Sequence, residues 1–306
     1  MSAIIPKASF MNTNSRNAGP VVAVAVASVL WGVYWVPVRW LQAEGLDAIM
    51  VAALFNMAAF CLYAPALLWS GRPGWAGFSA GLTIGAAMTL YSLALGMTTV
   101  VNAVLLFYLT PVWSTLIGMI FRGERLTLNR VTALALSLAG LMLILSDDGG
   151  LPLPRNAGDV AALAAGLIWS AGSFSVFDRP AVSARSATFW TLVNSSVISI
   201  LLILFLMPVS IDAMTWTMSL NGPVLLGGVM MGLLLVLTIW GARHLAPARV
   251  GILLMGEIVV GVGSAALYAG EPVSLIEMAG GVSILLAAGI EVMTPHEKKS
   301  KKTAGL

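Results

Sequence analysis

Long apolar runs separated by short polar connections make up almost the whole chain. Ten runs stand out, at about 20–41, 48–69, 76–96, 99–121, 129–146, 157–177, 186–207, 222–242, 246–269 and 274–293. Each is near the ~20 residues an α-helix needs to cross a bilayer core. None shows the ten-residue alternation of a transmembrane strand. Backbone facing lipid must satisfy its own polar groups, so the runs predict helices. The connections carry turn residues, as in Gly71-Arg72-Pro73-Gly74, Asp147-Asp148-Gly149-Gly150 and Asn221-Gly222-Pro223. None is long enough for a soluble domain. A short polar arm, 1–19, precedes the first run without a signal-peptide cleavage pattern. A basic tail, 294–306, follows the last.

Composition agrees with lipid as the solvent. Only 9% of residues are charged, against about 25% in soluble domains. The net charge of +3 does not point to nucleic acid, because the basic residues form no stripe. They sit in loops and at the tail, as topology signals do. With both termini cytoplasmic, fourteen of the sixteen Lys and Arg face the cytoplasm, and only Arg39 and Arg155 lie outside. The tail HEKKSKK is then a cytoplasmic anchor. Cys61 stands alone in an apolar run, so no disulfide forms within the chain and a small core residue is expected. There is no phosphate-binding loop and no Ser-His-Asp arrangement. His244 and His296 are too few and too far apart for a metal site. The sequence predicts neither enzyme, cofactor nor metal. Asp147, Asp148, Asp159 and Asp212 fall in outside loops and are expected to be solvated.

The runs repeat. Leu253–Glu271, LLMGEIVVGVGSAALYAGE, lies over Leu106–Glu124, LFYLTPVWSTLIGMIFRGE, at an offset of 147 positions. Gly270-Glu271 falls on Gly123-Glu124, and Gly261/Ala265 on Ser114/Gly118. At the same offset Gly81/Gly85 falls on Gly228/Gly232. For the first two runs the offset is 138, placing Leu30-Trp31 on Ile168-Trp169 and Asn56 on Asn194. The difference is a longer connection around 208–221. Five spans per half is an odd number, so the second half crosses in the opposite sense. The expected fold is an all-α membrane protein of ten transmembrane helices, as two inverted five-helix repeats, 20–146 and 157–293, around a central cavity. The small pairs mark close helix contacts.

The run LGMTTVVNAVLLFYLTPVWSTLIGMIFRGERLT, with its counterpart ending in AGEPVS, resembles EamA-type members of the drug/metabolite transporter superfamily. Those carry a Glu-Pro pair in a helix of each half, followed by Gly-Glu. Here the pair is split between Thr110-Pro111 and Glu257-Ile258, while both Gly-Glu signatures remain. The resemblance covers about the whole chain. It implies a multi-pass protein of the bacterial inner membrane that exports small molecules, with neutral aromatic or hydrophobic amino acids as the expected cargo. The alternative is a multidrug or other small-metabolite exporter of the same superfamily. A lipid-modifying membrane enzyme would need polar groups clustered at one interface, which the sequence lacks. A channel fits the mirrored halves poorly. The oligomeric state is left open, a monomer included.

Six residues are expected to bind the cargo. Glu257 is a carboxylate inside a span, which is costly by about 2.5–3.5 kcal/mol and marks function by default. It would contact an ammonium group or a proton; a hydrogen-bonded structural acid is the other reading. Trp31 and Trp169 are mirrored on the first helix of each half, mid-span. Tyr34, Tyr91 and Tyr108 also lie within spans. An aromatic wall suits a hydrophobic side chain, since ring stacking adds about 0.5–1.5 kcal/mol beyond burial. Asn56 and Asn194 read as interhelical ties. Trp40, Trp69, Trp75 and Trp216 read as interfacial belt residues. Pro111 reads as a kink or hinge, and Glu124 as an ion-pair partner of Arg122 or Arg125.

Overall fold

The structure is a computed structural model that describes residues 13–69, 71–98, 100–145, 153–206, 220–269 and 273–294. The basic tail, Trp216, Asp147, Asp148, Asp212 and Glu271 lie outside the described residues. Thirteen α-helices occur among those described, in the order α1 Thr13–Val33, α2 Trp35–Ala43, α3 Ala48–Trp69, α4 Phe78–Met97, α5 Val100–Phe107, α6 Thr110–Arg122, α7 Leu128–Leu145, α8 Ala157–Asp178, α9 Ala184–Leu206, α10 Asn221–His244, α11 Pro247–Leu254, α12 Gly256–Ala269 and α13 Leu275–Met293. No strand is present among them. They compose ten helical segments long and apolar enough to cross a membrane, from Ala18–Ala43 to Leu275–Met293. Thirteen helices make ten spans because three spans are interrupted. The first breaks at Tyr34, the fourth at Tyr108–Leu109 and the ninth at Met255.

The packing has a regular plan. The third span, α4, lies against α8 and α9; the eighth, α10, lies against α1 and α3. α3 also meets α9, and α7 meets α13. α6 meets α8 and α11, while α12 meets α1. Exchanging each span for the one five places along returns these pairs, although α10 also meets α8 with no matching contact between α4 and α1 of that extent.

Small residues are what allow these approaches. A Cβ on Gly81 would meet the Trp190–Thr191 backbone of α9, and one on Gly228 would meet Ala58 of α3. Gly140 and Gly280 face each other across the α7–α13 crossing, each a Cβ's reach from the other's carbonyl oxygen. Polar ties are sparse, as expected in lipid. Asn56 donates to the Ala52 carbonyl at 2.9 Å and its Oδ1 accepts from Ser195 of α9 at 3.1 Å. The Asn194 Nδ2 has no partner among the described residues. Trp40, Trp69 and Trp75 are exposed at span ends.

Candidate functional site

Two of the three interruptions, in the fourth and ninth spans, converge on one place. In the fourth span the helix ends at Phe107 and restarts at Thr110, with Pro111 in its first turn, where a missing N–H costs nothing. In the ninth it ends at Leu254 and restarts at Gly256. Each break frees backbone groups that need partners in a dry interior. The Leu254 carbonyl accepts from Ser28 of α1 at 3.5 Å, and the Phe107 carbonyl from Thr110 Oγ1 at 2.5 Å. Ser170 of α8 donates to the Thr110 carbonyl at 3.1 Å. Close approach needs glycine at two points. A Cβ on Gly166 would stand 2.6 Å from the Phe107 oxygen, and one on Gly32 2.7 Å from the Glu257 oxygen.

A cavity lies where the broken spans cross. It is lined by Trp31, Met88, Tyr91, Phe107, Tyr108, Thr110, Trp169, Gly251, Leu254 and Glu257. At the offsets read from the sequence these include three mirrored pairs: Trp31 with Trp169, Phe107 with Leu254 and Thr110 with Glu257. Tyr91 stacks tilted on Phe107 at 4.4 Å between ring centroids, and Phe107 meets Tyr108 edge-on at 5.5 Å. The Tyr108 hydroxyl donates a hydrogen bond to the Glu257 carboxyl. Glu257 is the one ionisable acid or base on the wall other than the two phenols. The cavity measures about 50 Å³, room for a few water molecules. Ordinary ligand pockets begin near about 300 Å³. A bound solute therefore requires side chains or spans to move apart.

Five of the six expected binding residues line this cavity. The sixth, Tyr34, sits one layer back at the break of the first span, edge-on to Trp31 at 5.3 Å and to Phe55 at 5.5 Å. Sequence reasoning missed Met88, Phe107, Gly251 and Leu254, ordinary apolar residues among many. It also missed Thr110 as a wall residue, although its match to Glu257 was there to be followed.

Residues 19–146 match the EamA-like transporter family. An uncharacterized transporter of Archaeoglobus fulgidus is 28% identical over 268 residues, covering 86% of this chain and 92% of its own. The crystal structure of another protein shares the fold with a TM-score of 0.76 at 20% identity, over 90% of this chain and 99% of the other. Over its first half the chain is thus similar to EamA-like transporters, and ten helical segments among the described residues are long and apolar enough to cross a membrane.

Away from the cavity the structure corrects two readings made from sequence, at Asp159 and Cys61. Asp159 is not a solvated loop residue. It is fully buried in the first turn of α8, accepting from Thr98 Oγ1 at 2.5 Å and from the Arg155 N–H at 2.8 Å. A carboxylate suits a helix N-terminus, where free N–H groups collect. Cys61 is exposed rather than in the core, because an outward face of α3 is as apolar as an inward one. Arg249, within the ninth predicted run, lies in the first turn of α11 and is 4% exposed. Glu124 does pair, but chiefly with Arg130 at 2.8 Å; Arg122 is at 3.7 Å and bonds Asp178 at 3.1 Å. Asp159→Ala is expected to lower stability by about 1.5–3 kcal/mol, the range for hydrogen bonds to a charged group. Thermal unfolding in detergent checks it, and an unchanged midpoint would remove Asp159 from the stabilising set.

Proposed function

We propose that the chain is a secondary transporter that exports neutral aromatic or hydrophobic amino acids by alternating access between two inverted repeats, residues 20–146 and 157–293. The observation that carries this reading is the ring-lined cavity at the crossing of two broken spans, with one acid on its wall. Discontinuous helices meeting between repeats are where transporters of this architecture bind solutes. The mirrored wall residues, and main helix contacts that recur when the halves are exchanged, support the repeat. The family match over residues 19–146 coincides with its first five spans. The chain as a whole resembles YddG, an exporter of aromatic and other neutral amino acids, which supports the cargo and the outward direction. Both termini are cytoplasmic in this reading, in a bacterial inner membrane.

Trp31, Tyr91, Tyr108 and Trp169 enclose the cargo's side chain, with Tyr34 holding Trp31 from behind. Glu257 contacts the amino group or a proton. The test is counterflow of a panel of amino acids into proteoliposomes, with and without a pH gradient. Trp169→Ala is expected to weaken transport of aromatic substrates by about tenfold, from lost ring stacking and burial, while the purified protein still unfolds cooperatively. Unchanged counterflow would take Trp169 out of the site.

One observation favours a second reading, a multidrug or metabolite exporter. Glu257 faces the cavity with no Lys, Arg or His on the wall to meet a carboxylate. An acid among aromatic faces suits an organic cation. Tetraphenylphosphonium transported in preference to tryptophan would select it.

A further inference from the structure

Arg249 and Glu291 are 4% and 0% exposed, and neither lines the cavity. Arg249 lies in the first turn of α11 and donates to the Val292 carbonyl on α13 at 2.5 Å. Glu291, the residue before Val292 on α13, lies in the electrostatic field of both Arg249 and Arg130. Neither of its carboxyl oxygens has a hydrogen-bond partner among the described residues. Arg130, on α7, is held at 2.8 Å by Glu124, whose carboxyl packs over Gly118 of α6. Two charges from the first half thus meet two from the second at one end of the bundle, the end with most basic loops.

The opposite end is built differently. At the repeat offset of 147 the buried pair Arg249 and Glu291 falls on Asn102 and Ile144, which carry no charge, while Arg130 and Glu124 fall on the acids Glu277 and Glu271. The packing differs in the same sense. α6 and α11, the halves of the broken spans at the charged end, pack on each other. Their counterparts part company: α5 lies on α8, and α12 lies on α1.

We infer that Arg249 and Glu291, with Arg130 and Glu124, are positioning residues that hold the basic end of the transport path shut and so decide which side the cavity opens to at rest. This rests on the alternating-access reading above. Two halves that mirror each other have two states of nearly equal energy unless something on one end breaks the tie. Buried opposite charges do so, because each is stabilised only while its partners stay close, and separation leaves it uncompensated. The carboxyl of Glu291 has no hydrogen bond to replace that attraction.

The test uses the full chain in lipid nanodiscs with Cys61→Ser and pairs of spin labels. Asn129→Cys with Met293→Cys reports the charged ends of α7 and α13. Glu44→Cys with Val160→Cys reports the opposite end, between the first and sixth spans. Glu291→Gln is expected to lengthen the first distance and shorten the second, shifting the population ratio by about tenfold or more. Arg249→Lys, which keeps the charge, is expected to stay nearer the wild type. If Glu291→Gln does not fold, Glu124→Gln is expected to shift both distances in the same senses. Distributions equal to the wild type, or both merely broadened, overturn the assignment. Opposite shifts on adding tryptophan to the wild type, with none in Glu291→Gln, would reject the latch and keep alternating access. Distances that never move oppositely, under ligand or substitution, would reject both.

Discussion

Glu257→Gln is expected to lower transport by about ten- to a hundredfold while the helices stay assembled. The substitution keeps size and keeps an oxygen that can accept from Tyr108, so the break in the ninth span retains its local bonds. It removes the charge. A hydrogen bond to a charged group is worth about 1.5–3 kcal/mol, which is roughly ten- to a hundredfold in affinity. Nothing else on the wall can replace that charge, since the remaining lining side chains are aromatic, aliphatic or hydroxyl. Two assays separate the two roles proposed for this acid. Loss of both tryptophan counterflow and pH-driven uptake assigns Glu257 to the ligand. Retained counterflow with loss of pH-driven uptake assigns it to a proton. Both activities at wild-type level would leave it a structural acid whose partner is Tyr108.

The order of elements could be read from the chain because lipid imposes a coarse rule. A span needs a long apolar run, and the loops between are too short to hide anything. What the runs could not show is which side of each helix faces inward. In water, period 3.6 separates core from surface; in lipid both faces are apolar and the period is nearly silent. That is why Cys61 was expected inside and lies outside, and why Phe107 and Met88 passed unnoticed. Polar and aromatic exceptions remain legible in the sequence: Trp31, Tyr91, Tyr108, Trp169 and Glu257 line the cavity, with Tyr34 one layer back. The breaks were half legible. Pro111 marks the one in the fourth span, whereas the one at Met255 has no proline and follows from packing against Ser28 and Gly32. Charges near span ends were assigned to loops by default. Arg249 and Glu291 fall inside the ninth and tenth runs, but only the packing of α11 on α13 brings them together.

Gly140→Val is expected to destabilise the bundle more than any cavity substitution, because what stands in its way is backbone. A Cβ at Gly140 would lie 2.5 Å from the Gly280 carbonyl oxygen and 3.1 Å from the Ile284 nitrogen. The reverse holds at Gly280, with the Gly140 oxygen at 2.6 Å and the Ile144 nitrogen at 3.1 Å. A side chain can rotate away from an added methyl, at about 1–3 kcal/mol in a packed core. Two helix backbones can only separate, and then every contact along the crossing loosens. In a bilayer there is no hydrophobic gain to compensate, since helices associate through close packing and polar contacts. Ala133 and Ala287, fully buried on the same two helices against Ile252, would lose their fit as well. The measurement is the thermal midpoint and the monodisperse yield in detergent. Gly289→Val on α13 is the control, because a Cβ there meets nothing within 4 Å; its effect is expected within about 0.5 kcal/mol. An equal loss from both would assign the damage to β-branching in a helix rather than to the crossing. A loss confined to Gly140 and Gly280 would mark the α7–α13 contact as the tight joint between the halves, with the Arg249–Glu291 cluster bearing on one end of it.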